Sequence, residues 1–156
     1  MKFIYVRNGC LIIFVIIVCF QVFRLVLLLL ASLESETHPL GKNLHLMDWD
    51  GPCELIIYDA DNDGHDGIRV LPFKGEPFYI DDRKDVKHNE QWVIVRAYNY
   101  ETKQLCFFII DKSFPIDEIE ADFSKFESIM HAHRTGPMTL LEFLDEAKRR
   151  NIQLNF

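Results

Sequence analysis

Residues 91–111 read QWVIVRAYNYETKQLCFFIID, and this stretch decides the fold. Its two halves, Gln91–Tyr98 and Gln104–Asp111, are rich in β-branched and aromatic residues, which suit a pleated, packed surface. Asn99–Lys103 between them has the composition of a hairpin loop. The apolar runs are nearly continuous instead of alternating, which predicts central strands covered on both faces.

Upstream lie three shorter runs that end in turn residues: Glu54–Asp59 (ELIIYD), Ile68–Phe73 (IRVLPF) and Phe78–Asp81 (FYID). Downstream the period changes. Ile116, Ile119, Phe123, Phe126 and Met130 recur at spacings of three and four, a helical stripe. Asp117 and Glu120 stand at capping-box spacing ahead of it. A second helix opens at Thr139-Leu-Leu-Glu142, a capping box in which Thr139 accepts a backbone N–H and Glu142 reaches back. Met138 and Phe143 are placed to form its hydrophobic staple. Leu140, Leu141, Leu144 and Ala147 are expected to face inward, and Lys148, Arg149 and Arg150 suit the negative end of the helix dipole. The fold class is therefore α+β: a small, mostly antiparallel β-sheet packed by two C-terminal helices on one face.

The N-terminus is of another kind. Residues 10–33 read CLIIFVIIVCFQVFRLVLLLLASL. A bilayer is spanned by about 20 mainly apolar residues, whereas the apolar core of a signal peptide has roughly 7–15. The exit at Leu30–Glu34 lacks a small-x-small cleavage pattern. The run reads as an uncleaved transmembrane signal anchor, with residues 1–9 as a tail, 34–43 (ESETHPLGKN) as a linker and 44–156 as the domain. Lys2 and Arg7 keep the tail cytoplasmic and place the domain outside, by the positive-inside rule. Gln21 and Arg24 share one helical face. An arginine inside a span costs at least ~2.5 kcal/mol unless it snorkels or pairs. Two readings stand: a tilted helix with a water defect, or a polar seam that contacts another membrane helix.

Of the 17 lysines and arginines, three precede Leu33, so 14 face all 24 acidic residues in the remainder, a net of -10. Such a surface repels nucleic acid and anionic lipid headgroups and argues against nucleic-acid binding. It suits a partner with a basic surface or a metal ion; it equally serves solubility.

The densest acidic segment is Asp59-Ala-Asp61-Asn-Asp63-Gly64-His-Asp66-Gly67. Alternating aspartates put carboxylates on one side of an extended loop, and calcium takes six to eight oxygens in such settings. The first six positions resemble an EF-hand loop and the related calcium loops of dockerins and integrin-type propellers. That resemblance implies Asp59, Asp61 and Asp63 as ligands; Asp66 is a further candidate carboxylate of the loop, and the missing ligands would have to come from elsewhere, such as Asp81 or Asp82. The chain departs from it by Val70, where an EF-hand has its bidentate glutamate, and by Asp66, where an apolar residue is usual. The other reading is an acidic hairpin turn, since Asp63-Gly64 and Asp66-Gly67 are both turn pairs. A strand ending in Asp59-x-Asp61 also resembles the first motif of haloacid-dehalogenase-type phosphotransferases. Asn62-Asp63 stands where that motif has Thr or Val, and no later helices alternate with strands to build its parallel sheet.

Cys53 and Cys106 are the domain's two cysteines. An oxidising compartment permits their disulfide, and two buried free thiols are the alternative. Cys10 and Cys19 read as apolar residues of the span. His131 and His133 flank Ala132; two histidines at that spacing share a metal on a strand and diverge on a helix. His65 and His88 read as exposed loop residues. No Ser/His/Asp or Cys/His set has a recognisable elbow or spacing, so no enzyme is expected.

One further resemblance lies at the C-terminus. The strand end Ile109-Ile110-Asp111, a spacer, then Gly136-Pro137-Met138-Thr139-Leu-Leu-Glu142-Phe143-Leu144 is similar to the C-terminal half of small bacterial lipoproteins and envelope proteins of unknown function. Those carry a Gly-Pro-Leu-Thr, then Glu-Phe helix start. This chain differs in having an anchor instead of a lipobox, and a longer helical spacer. The resemblance implies a bacterial envelope location and no known activity. The functional expectation is a single-pass, non-enzymatic binding domain on the periplasmic side of the inner membrane. One concrete form is an immunity-type protein that neutralises a cationic toxin. The alternative is a calcium-binding structural or sensing envelope domain.

Overall fold

The structure, a computed structural model, describes residues 18–24, 37–49, 53–62 and 67–156, with Trp49 and Cys53 described by backbone alone. The chain divides into two units, Met1–Ser35 and Glu36–Phe156. In the first, residues 18–24 are helical and exposed, and Gln21 and Arg24 lie on this stretch. No helix among the described residues is long and apolar enough to cross a membrane. The rest of the expected 10–33 span lies outside the described residues.

The second unit is α+β. Strands β1 (Thr37–Gly41), β2 (Leu44–Trp49), β3 (Cys53–Tyr58) and β4 (Ile68–Leu71) form an antiparallel sheet in chain order. A second antiparallel sheet holds β5 (Phe78–Tyr79), β6 (Val86–His88), β7 (Trp92–Asn99), β8 (Gln104–Asp111) and β9 (Arg134–Met138). At its centre β7 pairs with β8 from Trp92↔Asp111 to Asn99↔Gln104. The hairpin closes because Asn99 Oδ1 accepts the N–H groups of Glu101 and Thr102, at 2.9 and 3.0 Å. A backbone bond from the Glu54 N–H to the Ile80 carbonyl, 2.9 Å, ties the first sheet to the second. Three helices complete the unit: α1 (Ile116–Ala121), α2 (Phe126–His133) and α3 (Leu140–Arg149).

Alternation along the strands sorts the core. Leu44, Leu46, Ile56 and Tyr58 of the first sheet meet Val93, Val95, Phe108 and Ile110 of the second, and Ile119, Phe126 and Met130 of α1 and α2 close this main core. The other side of the central hairpin offers Trp92, Ile94, Phe107 and Ile109, which meet Phe143 and Ala147 of α3 and Ile152 beyond it. Burying each such side chain contributes about 1.5–3 kcal/mol. Both faces of β7–β8 are dry, as their continuous apolar runs require.

Four expectations are corrected. There are two sheets, not one. The helices do not share a face: α1 and α2 close the inner core, whereas β9 runs along β8 and delivers α3 to the opposite side. The linker read at 34–43 contains strand β1, paired as Thr37↔Met47 with Leu40 buried. Pro39 fits because β1 is an edge strand, and the register shifts between Pro39 and Gly41. Finally, the stripe from Ile116 to Met130 is broken. Asp122 accepts the Ser124 N–H at 3.2 Å and starts a 3-10 turn over Phe123–Lys125, which leaves Phe123 exposed. Helix α1 starts at Pro115 with no side-chain cap, so the Asp117–Glu120 box is not made.

The Gly-Pro motif has a local cause. Gly136 has φ +130°, and a Cβ there would come within 2.6 Å of the Phe107 carbonyl oxygen and the Phe108 ring. Only glycine lets β9 lie this close to β8.

Candidate functional site

The aspartate loop is built around its own backbone. Asp59 directly follows β3 and is buried, and its Oδ1 accepts the Asp61 N–H at 3.0 Å. The Asn62 N–H donates to the Asp59 carbonyl at 3.2 Å, and Asn62 takes φ 55°, a conformation asparagine tolerates. Asn62 Oδ1 lies 3.0 Å from Nε2 of His45, a buried histidine on β2. Asp61 is exposed, while Asp63 and Asp66 lie outside the described residues. Asp82 is engaged elsewhere: it caps a 3-10 turn over Arg83–Asp85 by accepting the Lys84 N–H at 2.9 Å, with Lys84 Nζ at 2.7 Å. Among the described residues no group of three or more His, Cys, Asp and Glu stands close enough to hold a metal ion.

Among the described residues, the other reactive side chains have structural surroundings. Cys106 is a free thiol on β8, 3.9 Å from the Gln104 carbonyl, and burial pushes its pKa up, the wrong direction for a nucleophile. The side chain of Cys53 lies outside the described residues. Lys112 is buried and donates to the Leu40 carbonyl at 2.7 Å, pinning β1 to the end of β8; burial lowers its pKa. His131 lies tilted against Phe73 at 4.4 Å and His133 meets Phe114 edge-on at 6.1 Å, so the pair diverges as helical spacing dictates. His88 lies on β6, and burial and then Lys112 lower its pKa.

Two features stand out from this background. The first is an open cleft of about 860 Å³ lined by Asp48 and Glu54, by Asp82–Lys84 and Val86–His88, and by the tail residues Gln153–Asn155. Asp48 and Glu54 are direct partners across β2 and β3. By strand parity they lie on the face that carries Leu46 and Ile56. Glu54 is only 9% exposed, and its Oε2 has no hydrogen-bond partner among the described residues. Burial first, then the Asp48 charge, push its carboxyl above the usual range, against the pull of Arg83.

The second feature is the outer side of α3. The capping box forms as the sequence predicts: the Thr139 N–H donates to Glu142 Oε2 at 2.8 Å and the Glu142 N–H to Thr139 Oγ1 at 3.4 Å. The inward residues, however, are Phe143 and Ala147. Leu140, Leu141 and Leu144 are 53%, 76% and 52% exposed. Phe143 stacks on Phe107 at 5.2 Å, and a helix cannot also direct its neighbours at positions 141 and 144 to the same seam.

Sequence reasoning missed the Asp48–Glu54 pair because it joins two strands, one of them unrecognised. The available signal was the short separation in sequence, three residues, between β2 and β3. No known protein family matches the chain, and no curated protein or solved structure matches it either.

Proposed function

We propose that this chain is a single-pass, membrane-anchored binding domain without a reaction of its own, displayed on the periplasmic side of a bacterial inner membrane. Its concrete form is an immunity-type protein that neutralises an incoming cationic toxin. The observation that carries the reading is the leucine face of α3. Leu140, Leu141 and Leu144 lie outward on a helix that already buries Phe143 and Ala147. A contiguous exposed apolar patch on a small domain marks an interaction surface. The net of -10 beyond Leu33, from 24 acidic and 14 basic residues, favours a partner that rings its own apolar patch with lysine and arginine. Lys2 and Arg7 ahead of the apolar 10–33 run support the orientation. Gln21 and Arg24 remain the candidate contacts for a second membrane helix.

The test is protection. Bacteria that express the full chain are challenged with the toxin encoded beside its gene, and survival is compared with cells carrying a Leu141→Asp, Leu144→Asp variant. Survival that the double variant abolishes is the expected result. A neighbourhood without a toxin gene, or killing that the chain does not reduce, overturns the reading. The alternative, a calcium-binding domain, is favoured by one point: Asp59 and Asp61 share a single turn. It requires the melting temperature to rise in millimolar calcium, and to rise less in Asp61→Ala.

A further inference from the structure

The Asp48–Glu54 pair is costly as it stands. Like charges directly opposite each other on neighbouring strands are destabilising. Glu54 adds a second cost, since a buried carboxylate oxygen without a partner forfeits its hydration and gains nothing in return. A glutamine would remove the like-charge penalty at this position. The position itself is fixed, because the Glu54 N–H makes the bond to Ile80 that joins the sheets.

The cations nearby only partly answer the pair. Lys84 is held by Asp82 at 2.7 Å. The Arg83 charge lowers the Glu54 pKa and the Arg83 N–H donates to its carboxylate, yet burial and Asp48 outweigh both, and Oε2 stays without a partner among the described residues. Lys87 and His88 also line the cleft. The terminal torsion of a glutamate is broad, so either oxygen can be presented to the cleft. Two carboxylates side by side fall well short of the oxygens calcium takes. They do match a planar guanidinium, whose donors diverge to two acceptors, or an ammonium with three donors.

We propose that Asp48 and Glu54 form a receptor for one guanidinium or ammonium side chain of the protein partner, admitted through the cleft that both line. This rests on the binding-domain reading above and names the chemistry that the domain recognises.

The test uses the full chain in detergent micelles and N-acetyl-arginine amide as the probe, with N-acetyl-citrulline amide as its uncharged isostere. Calorimetric titration is expected to show saturable binding of the arginine probe alone. Glu54→Gln and Asp48→Asn should weaken it by about tenfold to a hundredfold, the weight of a charge-assisted hydrogen bond. Glu127→Gln, on the exposed side of α2, should leave it unchanged. Both cleft variants should melt at or above the wild-type temperature, because each relieves a like-charge pair. Absent or non-saturable binding overturns the inference, as does equal binding by citrulline or by Glu54→Gln. A Glu54→Gln protein that melts lower or fails to fold overturns it too, since the carboxylate would then be structural. Toxin protection without arginine binding sinks this inference and leaves the binding-domain reading standing; arginine binding without protection does the reverse.

Discussion

Helices α2 and α3 are both short and amphipathic, and they treat their apolar residues in opposite ways. Helix α2 buries Phe126 and Met130 in the main core, and its end is fixed where Arg134 leaves it for β9. Arg134 donates to both oxygens of Glu76, at 2.8 and 2.6 Å, and its guanidinium lies 4.4 Å from the Phe73 ring centre. Helix α3 buries Phe143 and Ala147 and turns three leucines to the outside. An apolar stripe thus shows that a helix packs; it does not show on which side. The residue that docks α3 is the one whose ring matches Phe107, and the leucines follow from that choice.

The sharpest way to break the comparison is to empty both docking points. Phe143→Ala should cost about 3–5 kcal/mol, and Met130→Ala about 2–5 kcal/mol. Urea unfolding of the full chain in micelles measures both. A Phe143→Ala cost near zero would mean that α3 is not docked on the β7–β8 face.

The ends of α2 come next. Arg134 is 5% exposed, so Glu76→Gln strands a buried cation and should cost about 3 kcal/mol at neutral pH. Burial alone would raise the Glu76 carboxyl, but the Arg134 hydrogen bonds and the Phe73 N–H outweigh it and hold the pKa below 4.5. A carboxylate with a lowered folded-state pKa gives stability that is present above its unfolded value and lost as pH falls through the folded one. Wild type should therefore lose more stability than Glu76→Gln on acidification below pH 4.5. Parallel acid profiles would show that this ion pair does not anchor the helix.

The same contrast explains what could be read without a structure. The hairpin, the strand nature of residues 54–58 and 68–71, and the Thr139 cap follow from local chemistry, and all are in place. Strand β1 was hidden because Pro39, Gly41 and Lys42 have loop composition; its pairing comes from β2, a tertiary cause. The opposite placement of α3 depends on β9, which in turn depends on Gly136 having no Cβ. For the site, acidic density drew attention to the 59–66 loop, where Asp59 caps its own turn. The carboxylate with an unpartnered oxygen is Glu54, at the head of an apolar run, and only the strand register sets Asp48 beside it.

Thr139 sharpens the comparison at the start of α3. Thr139→Ala should cost about 0.5–2 kcal/mol, and Glu142→Ala less. Their combination should fall short of the sum, because the box is one reciprocal unit. A fully additive pair in urea unfolding would mean that the two caps act separately.

The smallest effect is expected at Leu144. The sequence pattern would put it in the core, where Leu→Ala costs about 2–5 kcal/mol. The structure leaves it 52% exposed, one residue past Phe143, so its side chain points away from the Phe107 seam. Leu144→Ala should therefore stay within about 0.5 kcal/mol of wild type. The decisive reading combines two measurements on the same protein: unfolding, which should barely move, and toxin protection, which should fall. Loss of both would mean that Leu144 packs after all and that the outer face of α3 is core. Retention of both would mean that the leucines are an idle surface, and the partner site would have to be sought at the Asp48–Glu54 cleft.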